Sequence, residues 1–340
     1  MRALRFHEHG GPEVLRYEEA PEPVLRPGSV LVRVRACAIN RLDIWQRIGL
    51  GRVTIPLPHV SGADVAGEIV DGAAADLAAG APVMLQPGLS CGRCAQCLAG
   101  RDNFCPRYDV LGYQSDGGYA ELVAVPAANV IPLPPHVDFV TAAAFPLVFL
   151  TAWHMLFTQA RLRAGDTVLV LAAGSGVGHA AIQLARVHHA TVIATAGGER
   201  KMARARELGA DHVFDHHRDD LVRSVRDVTG GRGADIVVEH VGAATWDRSV
   251  RCLARGGRLV TCGATTGHEA ALDLRHLFAR QLSLLGSYMG AKSELLDAAG
   301  FFFRGLIRPV VDATYPLSET AQAHRRMESS DHFGKIVLVV

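Results

Sequence analysis

From Thr167 onward the chain repeats one unit, a short apolar β-rich run followed by a helical pattern. The runs TVLVLAA, TVIATA, HVFD, DIVVEHV, RLVTCGA and LSLLGS begin near Thr167, Thr191, His212, Asp235, Arg258 and Leu282. Their starts lie about 21 to 24 residues apart, room for one strand, one crossover helix and two short loops. Each run is apolar on both faces, as a parallel strand sandwiched between helices must be. GHAAIQLARVHH and ERKMARARELGA are two of the intervening helical patterns, the second ending at Gly209. The beat predicts an α/β domain with a doubly wound, six-stranded parallel sheet.

The first ~145 residues follow another rule. SVLVRVRACAI (29–39) alternates apolar and charged residues, the mark of a half-exposed antiparallel strand. DVAGEIV, APVMLQPG and YAELVAVP are similar, with Pro and Gly between them, and the tail GKIVLVV (334–340) returns to this character after a helical SETAQAHRRMES. A β-rich domain is expected there. The chain has 340 residues, enough for two domains, and a net charge of +1 with both signs interleaved. Nothing in that balance suggests a nucleic-acid or membrane surface. The N-terminus has no signal-peptide h-region, and the most apolar stretch, 139–157, is interrupted by Pro146, Thr141, Thr151 and His154. A cytoplasmic protein is expected, in a compartment that disfavours disulfides.

The strand TVLVLAA runs into GSGVGHAAIQLA, a glycine-rich turn opening a helix. Such a turn lets the backbone approach a pyrophosphate, and the helix N-terminus adds free N–H groups. In the best register the three fingerprint positions are Ala173, Ser175 and Gly178, so two of the usual glycines are missing. Ser175, Gly176, Val177 and Gly178 are the expected cofactor contacts. An NAD site places an acid at the end of the second strand. Here Ala196-Gly197-Gly198 stand in its place, with Arg200 and Lys201 following. A small neutral loop followed by cations favours a 2′-phosphate, so NADPH is expected over NADH. Gly197, Arg200, Lys201 and His216 are the candidate contacts; a solvated helical turn and a surface histidine are the plainer readings.

Cys91, Cys94, Cys97 and Cys105 follow C-x2-C-x2-C-x7-C. Closely spaced cysteines separated by small residues let one loop wrap a tetrahedral zinc ion. With four protein ligands such a site is closed, and its role is structural. Free thiols, an iron–sulfur cluster and disulfides are the alternatives. Cys252 and Cys262 read as ordinary buried thiols.

GADVAGEIV (62–70), the cysteine loop, AAAFPLVFLTAWHML (142–156), the GSGVG turn, ELGAD and the C-terminal GKIVL occur in one order across essentially the whole chain. That order resembles the medium-chain dehydrogenase/reductase superfamily, which contains zinc alcohol dehydrogenases and zinc-free quinone oxidoreductases. The resemblance implies a GroES-like catalytic domain over 1–148 and 290–340, with a zinc lobe at 91–105. A Rossmann domain over 149–289 is inserted, and the active site lies in the cleft between them. It also implies a homodimer or homotetramer through the Rossmann sheet edge. The superfamily's catalytic-zinc positions fall at Asn40, Ala63 and Leu147 here. Cys37 lies three residues early, and Asp64 and His59 are the remaining ligand possibilities. Two apolar residues and an amide do not hold zinc.

The resemblance to the quinone oxidoreductase branch, which carries Asn and Gly-x-Asp at these positions, implies NADPH-dependent hydride transfer to a quinone or α,β-unsaturated carbonyl. Such acceptors spread the charge that reaches oxygen. A zinc alcohol dehydrogenase and a non-enzymatic NADPH-binding protein remain the rivals. Asn40 is the candidate oxyanion donor. Asp43 and Arg47, four apart, have the spacing to pair across a helical turn; either they shape the substrate pocket or they form a structural ion pair. Trp45 is a candidate pocket wall, and Thr151 and His154 are candidates to face the nicotinamide. Lys335 matches a superfamily position near the cofactor pyrophosphate.

Overall fold

The computed structural model describes residues 1–49, 54–72 and 77–340. Two compact units emerge, Met1–Leu147 with Ala291–Phe303 and Arg308–Val340, and Val148–Gly290 with Arg304–Ile307.

The second unit is built by the strand–helix beat. Its six strands are Thr167–Val170, Thr191–Ala196, His212–Asp215, Ala234–Glu239, Leu253–Thr261 and Ser283–Gly286, and every pairing is parallel. Counted along the chain, they lie in the order 3-2-1-4-5-6, the doubly wound arrangement expected from the sequence. All four residues of Thr167–Val170 are buried, as a strand covered on both faces requires. Leu169, Ile193, Val237 and Leu259 share one apolar cluster. The helix Gly176–Val187 follows the first strand, and Glu199–Glu207 follows the second.

Among the described residues the first unit is organised by a seven-stranded sheet. At its centre Ser29–Ala38 pairs antiparallel with Asp64–Gly72, Leu122–Pro126 and the C-terminal strand Lys335–Val339. Alternation holds at Val30, Val32 and Val34, which are buried between less buried neighbours. It stops at Ala36–Ala38, all three buried, where the tail strand lies alongside. Val337 faces Ala38, so Lys335 is carried to the level of Asn40, and Ala38 faces Asp64 on the other side. Three strands from distant parts of the chain therefore deliver Lys335, Asn40 and Asp64 to one end of the sheet.

Residues 139–157 form two short helices, Phe139–Ala143 and Pro146–Trp153, and then enter a π-helical turn, His154–Gln159. Among the described residues no helix is long and apolar enough to cross a membrane.

Candidate functional site

The cysteine loop closes on itself. Cys94 caps the helix Ala95–Leu98, which carries Cys97, and a 3-10 turn, Asp102–Phe104, returns the chain to Cys105. The four sulfurs lie within 4.8 Å of one another, and none is in a disulfide. Cys94 Sγ is 3.5 Å from Cys97 Sγ, and Cys91 Sγ is 3.9 Å from Cys97 Sγ. Four thiolates at ~2.3 Å from a zinc ion form a tetrahedron with edges of about 3.8 Å. The donor set fits that ion, which Cys91, Cys94, Cys97 and Cys105 would hold. The backbone N–H groups of Cys91 and Arg107 both donate to Cys105 Sγ at 3.4 Å, the pattern expected around a thiolate. Hydrogen bonds from the Arg93 backbone and then the Arg107 side chain pull Cys91 down to about 5. Among the described residues this is the one group of three or more metal-binding side chains within ligand range.

In the second unit, Ser175 caps Gly176–Val187 by accepting from Gly178 N at 2.8 Å. A Cβ on Gly178 would lie 2.3 Å from Ala172 O, so this fingerprint glycine is required by the turn itself. Ala172 adopts φ 46° in the turn, a left-handed conformation on a residue with a Cβ. Gly197, at the end of the second strand, lies beneath His216 and His217, whose Nε2 atoms are 3.1 and 2.9 Å from where its Cβ would be. Arg200 and Lys201 stand in the first turn of Glu199–Glu207. Burial pushes His216 down, and the neighbouring His217, Lys201 and Arg248 add to that effect. The loop is thus a small-residue floor among cationic groups. Asp215, beside the loop, accepts from the backbone N–H groups of His217 and Gly198. Thr151 and His154 are buried in this unit, and His154 Nε2 is 3.0 Å from Gln159 Nε2. His217 and Arg248 were not expected from the sequence; only the doubled histidine hinted at the first. Burial pushes the thiol of buried Cys252 up to about 12, and that of half-buried Cys262 likewise.

In the first unit the candidate residues form a buried polar cluster. Asp64 Oδ2 accepts from Asn40 Nδ2 and from Lys335 Nζ, each at 2.9 Å, while Asp64 Oδ1 accepts from Leu147 N at 2.8 Å. Lys335 Nζ also donates to Asn40 Oδ1 at 2.6 Å. The Lys335 side chain is 2% exposed and that of Asp64 is 0% exposed. The Lys335 ammonium is engaged by Asp64 and Asn40 within this unit. Beneath Asn40, its backbone N–H donates to Asp43 Oδ2 at 2.7 Å, and Tyr119 Oη donates to the same oxygen at 2.9 Å. Asp43 Oδ1 is buried without a partner. Burial, opposed by these hydrogen bonds and by Lys335, raises Asp43 to about 6.

The expected Asp43–Arg47 pair is not made. Asp43 turns inward to hold the first turn of the helix Arg41–Arg47, while Arg47 reaches the C-terminal helix Thr320–Glu328. There it pairs with Glu328 and donates to His324 Nδ1 at 3.1 Å. Burial first, and Arg47 second, push His324 down to about 3, which keeps it neutral and able to accept. Spacing identified two charged residues four apart, but tertiary partners from the far end of the chain outcompeted the local pair. His59 is also buried, with Nε2 on Gly112 O at 3.1 Å, and Trp45 is partly buried. Tyr119, His324 and Glu328 carry no pattern that would have marked them from sequence.

Two family models match, "Alcohol dehydrogenase GroES-like domain" over residues 26–135 and "Zinc-binding dehydrogenase" over 176–304. A quinone oxidoreductase of Rattus norvegicus is 31% identical across 100% of this chain and 98% of its own length. The chain belongs to the medium-chain dehydrogenase/reductase superfamily, of the zinc-type alcohol dehydrogenase-like kind. An alcohol dehydrogenase of Geobacillus stearothermophilus is likewise 31% identical, over 96% of each chain. A crystal structure of an NAD-dependent alcohol dehydrogenase matches with 47% identity and a TM-score of 0.97, over 100% of both chains. This superfamily member is an NAD(P)H-dependent oxidoreductase with a GroES-like domain, a Rossmann sheet and a four-cysteine cluster suited to structural zinc.

Proposed function

We propose that the enzyme transfers hydride from NADPH to a quinone or an α,β-unsaturated carbonyl without a catalytic zinc. The observation that carries this reading is the Asn40–Asp64–Lys335 cluster. A divalent metal needs several lone pairs aimed at one point. Here the lone pairs of Asp64 and Asn40 face an ammonium, an amide N–H and a backbone N–H. The neighbouring superfamily ligand positions, Ala63 and Leu147, offer no side-chain donor. These residues do not fit a catalytic metal.

A bound nicotinamide supplies the hydride. Asn40 donates an amide hydrogen to the acceptor oxygen that gains charge, and acceptors that delocalise the charge need no stronger electrophile. Asp43 and Arg47 fix the two ends of the helix that Asn40 opens. The Ser175–Gly178 turn receives the pyrophosphate, with Thr151 a further cofactor contact. Gly197, Arg200, Lys201 and His216 receive the 2′-phosphate. A homo-oligomer is proposed through the edge strand Ser283–Gly286, beside which Leu274, Phe278 and Tyr288 are 65%, 70% and 58% exposed.

A second reading has its own support. The 47% identical relative is described as an NAD-dependent alcohol dehydrogenase, which favours NAD(H) and a simple alcohol or aldehyde. One experiment separates the two: metal content per chain together with initial rates on a quinone, an enone and a simple aldehyde, each with NADPH and NADH. One zinc per chain, with enone or quinone turnover favouring NADPH, is the expected result. Two zinc ions per chain, with turnover restricted to aldehyde and alcohol, would sink it.

A further inference from the structure

We propose that Lys335 and Asp64 are positioning residues that lock and polarise the Asn40 amide for hydride transfer, with the Lys335 ammonium serving as the resident cation of the site. The inference rests on the reading of Asn40 as the donor to the acceptor oxygen.

An asparagine amide is ambiguous, because its oxygen and nitrogen are nearly alike in shape and opposite in role. The two neighbours remove the ambiguity. Lys335 can only donate, so it faces Oδ1, at 2.6 Å. Asp64 in its ionised form can only accept, so it faces Nδ2, at 2.9 Å. Lys335 and Asp64 are themselves bonded at 2.9 Å, which closes a three-membered ring of contacts, with the two side chains only 2% and 0% exposed. Leu147 N takes the other Asp64 oxygen and stops the carboxylate from turning away. Each tether comes from a different strand or helix, so the amide cannot rotate without breaking bonds that no water would replace.

The lock leaves one hydrogen over. The second Nδ2 hydrogen reaches only Ala38 O, at 3.4 Å, beyond the usual N–H···O range. A cation on Oδ1 draws charge from the amide and makes this remaining N–H a stronger donor. When hydride adds to the acceptor carbon, the carbonyl π pair moves onto oxygen. Asn40 stabilises that oxygen by hydrogen bonding without giving up its proton, and a proton from water completes the product.

A double-mutant cycle on the full-length enzyme tests this, using an acceptor that the wild type reduces. Lys335→Met is expected to lower kcat by about 10- to 100-fold while the acceptor KM and the cofactor Kd stay within about threefold. Asn40→Ala is expected to lower kcat comparably, and Asn40→Ala/Lys335→Met no further, because Lys335 acts through Asn40. Should Lys335→Met fold poorly, Asp64→Asn/Lys335→Met removes both buried charges together and is expected to show the same kcat loss. Losses that multiply in the double variant would overturn the proposal. So would a cofactor Kd raised about tenfold with kcat retained, which would make Lys335 a cofactor contact. If instead the wild type carries two zinc ions and turns over only alcohols, it is the functional reading that falls, before any variant is made.

Discussion

The molecule holds two clusters built to manage charge, and they differ in every respect that matters for legibility and for stability. The cysteine cage takes its four donors from fifteen consecutive positions, Cys91 to Cys105, and lies partly exposed. The Asn40–Asp64–Lys335 cluster joins residues 24 and 295 positions apart and is buried. The cage gathers four sulfurs within 4.8 Å of one another, a donor set suited to one metal ion. The second cluster contains its cation already. One site is assembled within a short loop; the other depends on the register of three strands.

Removing the cage's cation should give the largest effect. Structural zinc in small domains binds with ~10 kcal/mol or more of free energy that is also folding energy. Cys97→Ser or Cys105→Ser is therefore expected to drop zinc from about one ion per chain to none and to make 91–105 the first site of limited proteolysis. Because the cage is closed, kcat of the remaining folded enzyme should change less than about twofold. A kcat that collapses along with zinc, while the fold survives, would mean the cage is not merely structural.

The next effect belongs to the buried cluster. Breaking a buried ion pair costs about 3–5 kcal/mol, because one charge is left without its partner; replacing both partners by neutral residues is often nearly neutral. Lys335→Met should lower the urea-unfolding free energy by that amount, whereas Asp64→Asn/Lys335→Met should recover most of it. A double variant as unstable as the single one would show that packing, not charge pairing, holds the three strands together here.

The contrast explains what could be read from the sequence. The parallel sheet was legible because each strand–helix unit carries its own period, and the cage because its donors are neighbours. Asn40 was identifiable as a candidate, but its partners were not: strand register alone sets Lys335 at its level, and no local pattern records that register. Arg47 shows the same limit from the other side. The i,i+4 rule pointed to Asp43, yet capping drew Asp43 inward, and burial against the C-terminal helix gave Arg47 to Glu328 and His324.

Asp43 yields a smaller, pH-dependent test of the buried cluster. Burial raises its carboxyl to about 6 from its ordinary 3.8. Between those two pH values the native state keeps a proton that the unfolded chain has released. Stability therefore falls as pH rises through this window, by about 1.4 kcal/mol per unit at most, and levels off above it. Below 3.8 both states are protonated and the penalty is absent. Asp43→Asn keeps the shape and the acceptor for Asn40 N and Tyr119 Oη but cannot ionise, so it should flatten this part of the profile. Urea unfolding at a series of pH values from 4 to 7 would show it. An unchanged slope in the variant would place the titration elsewhere.

The smallest expected effect sits at the rim of the cage. Arg107 is exposed, and its side chain hydrogen-bonds Cys91. An exposed charge acts through water and salt, so its support for the thiolate set is weak and weakens further as salt is raised. Arg107→Ala is expected to ease zinc removal by a chelator less than about tenfold, and the difference should shrink as salt is raised. The same salt series should leave the kcat deficit of Lys335→Met unmoved, since the Lys335 side chain is 2% exposed. If salt erased both effects alike, the division between a solvated metal cage and a sealed internal cation would not survive. If it erased only the first, the two clusters would be distinguished by the screening that separates surface from interior.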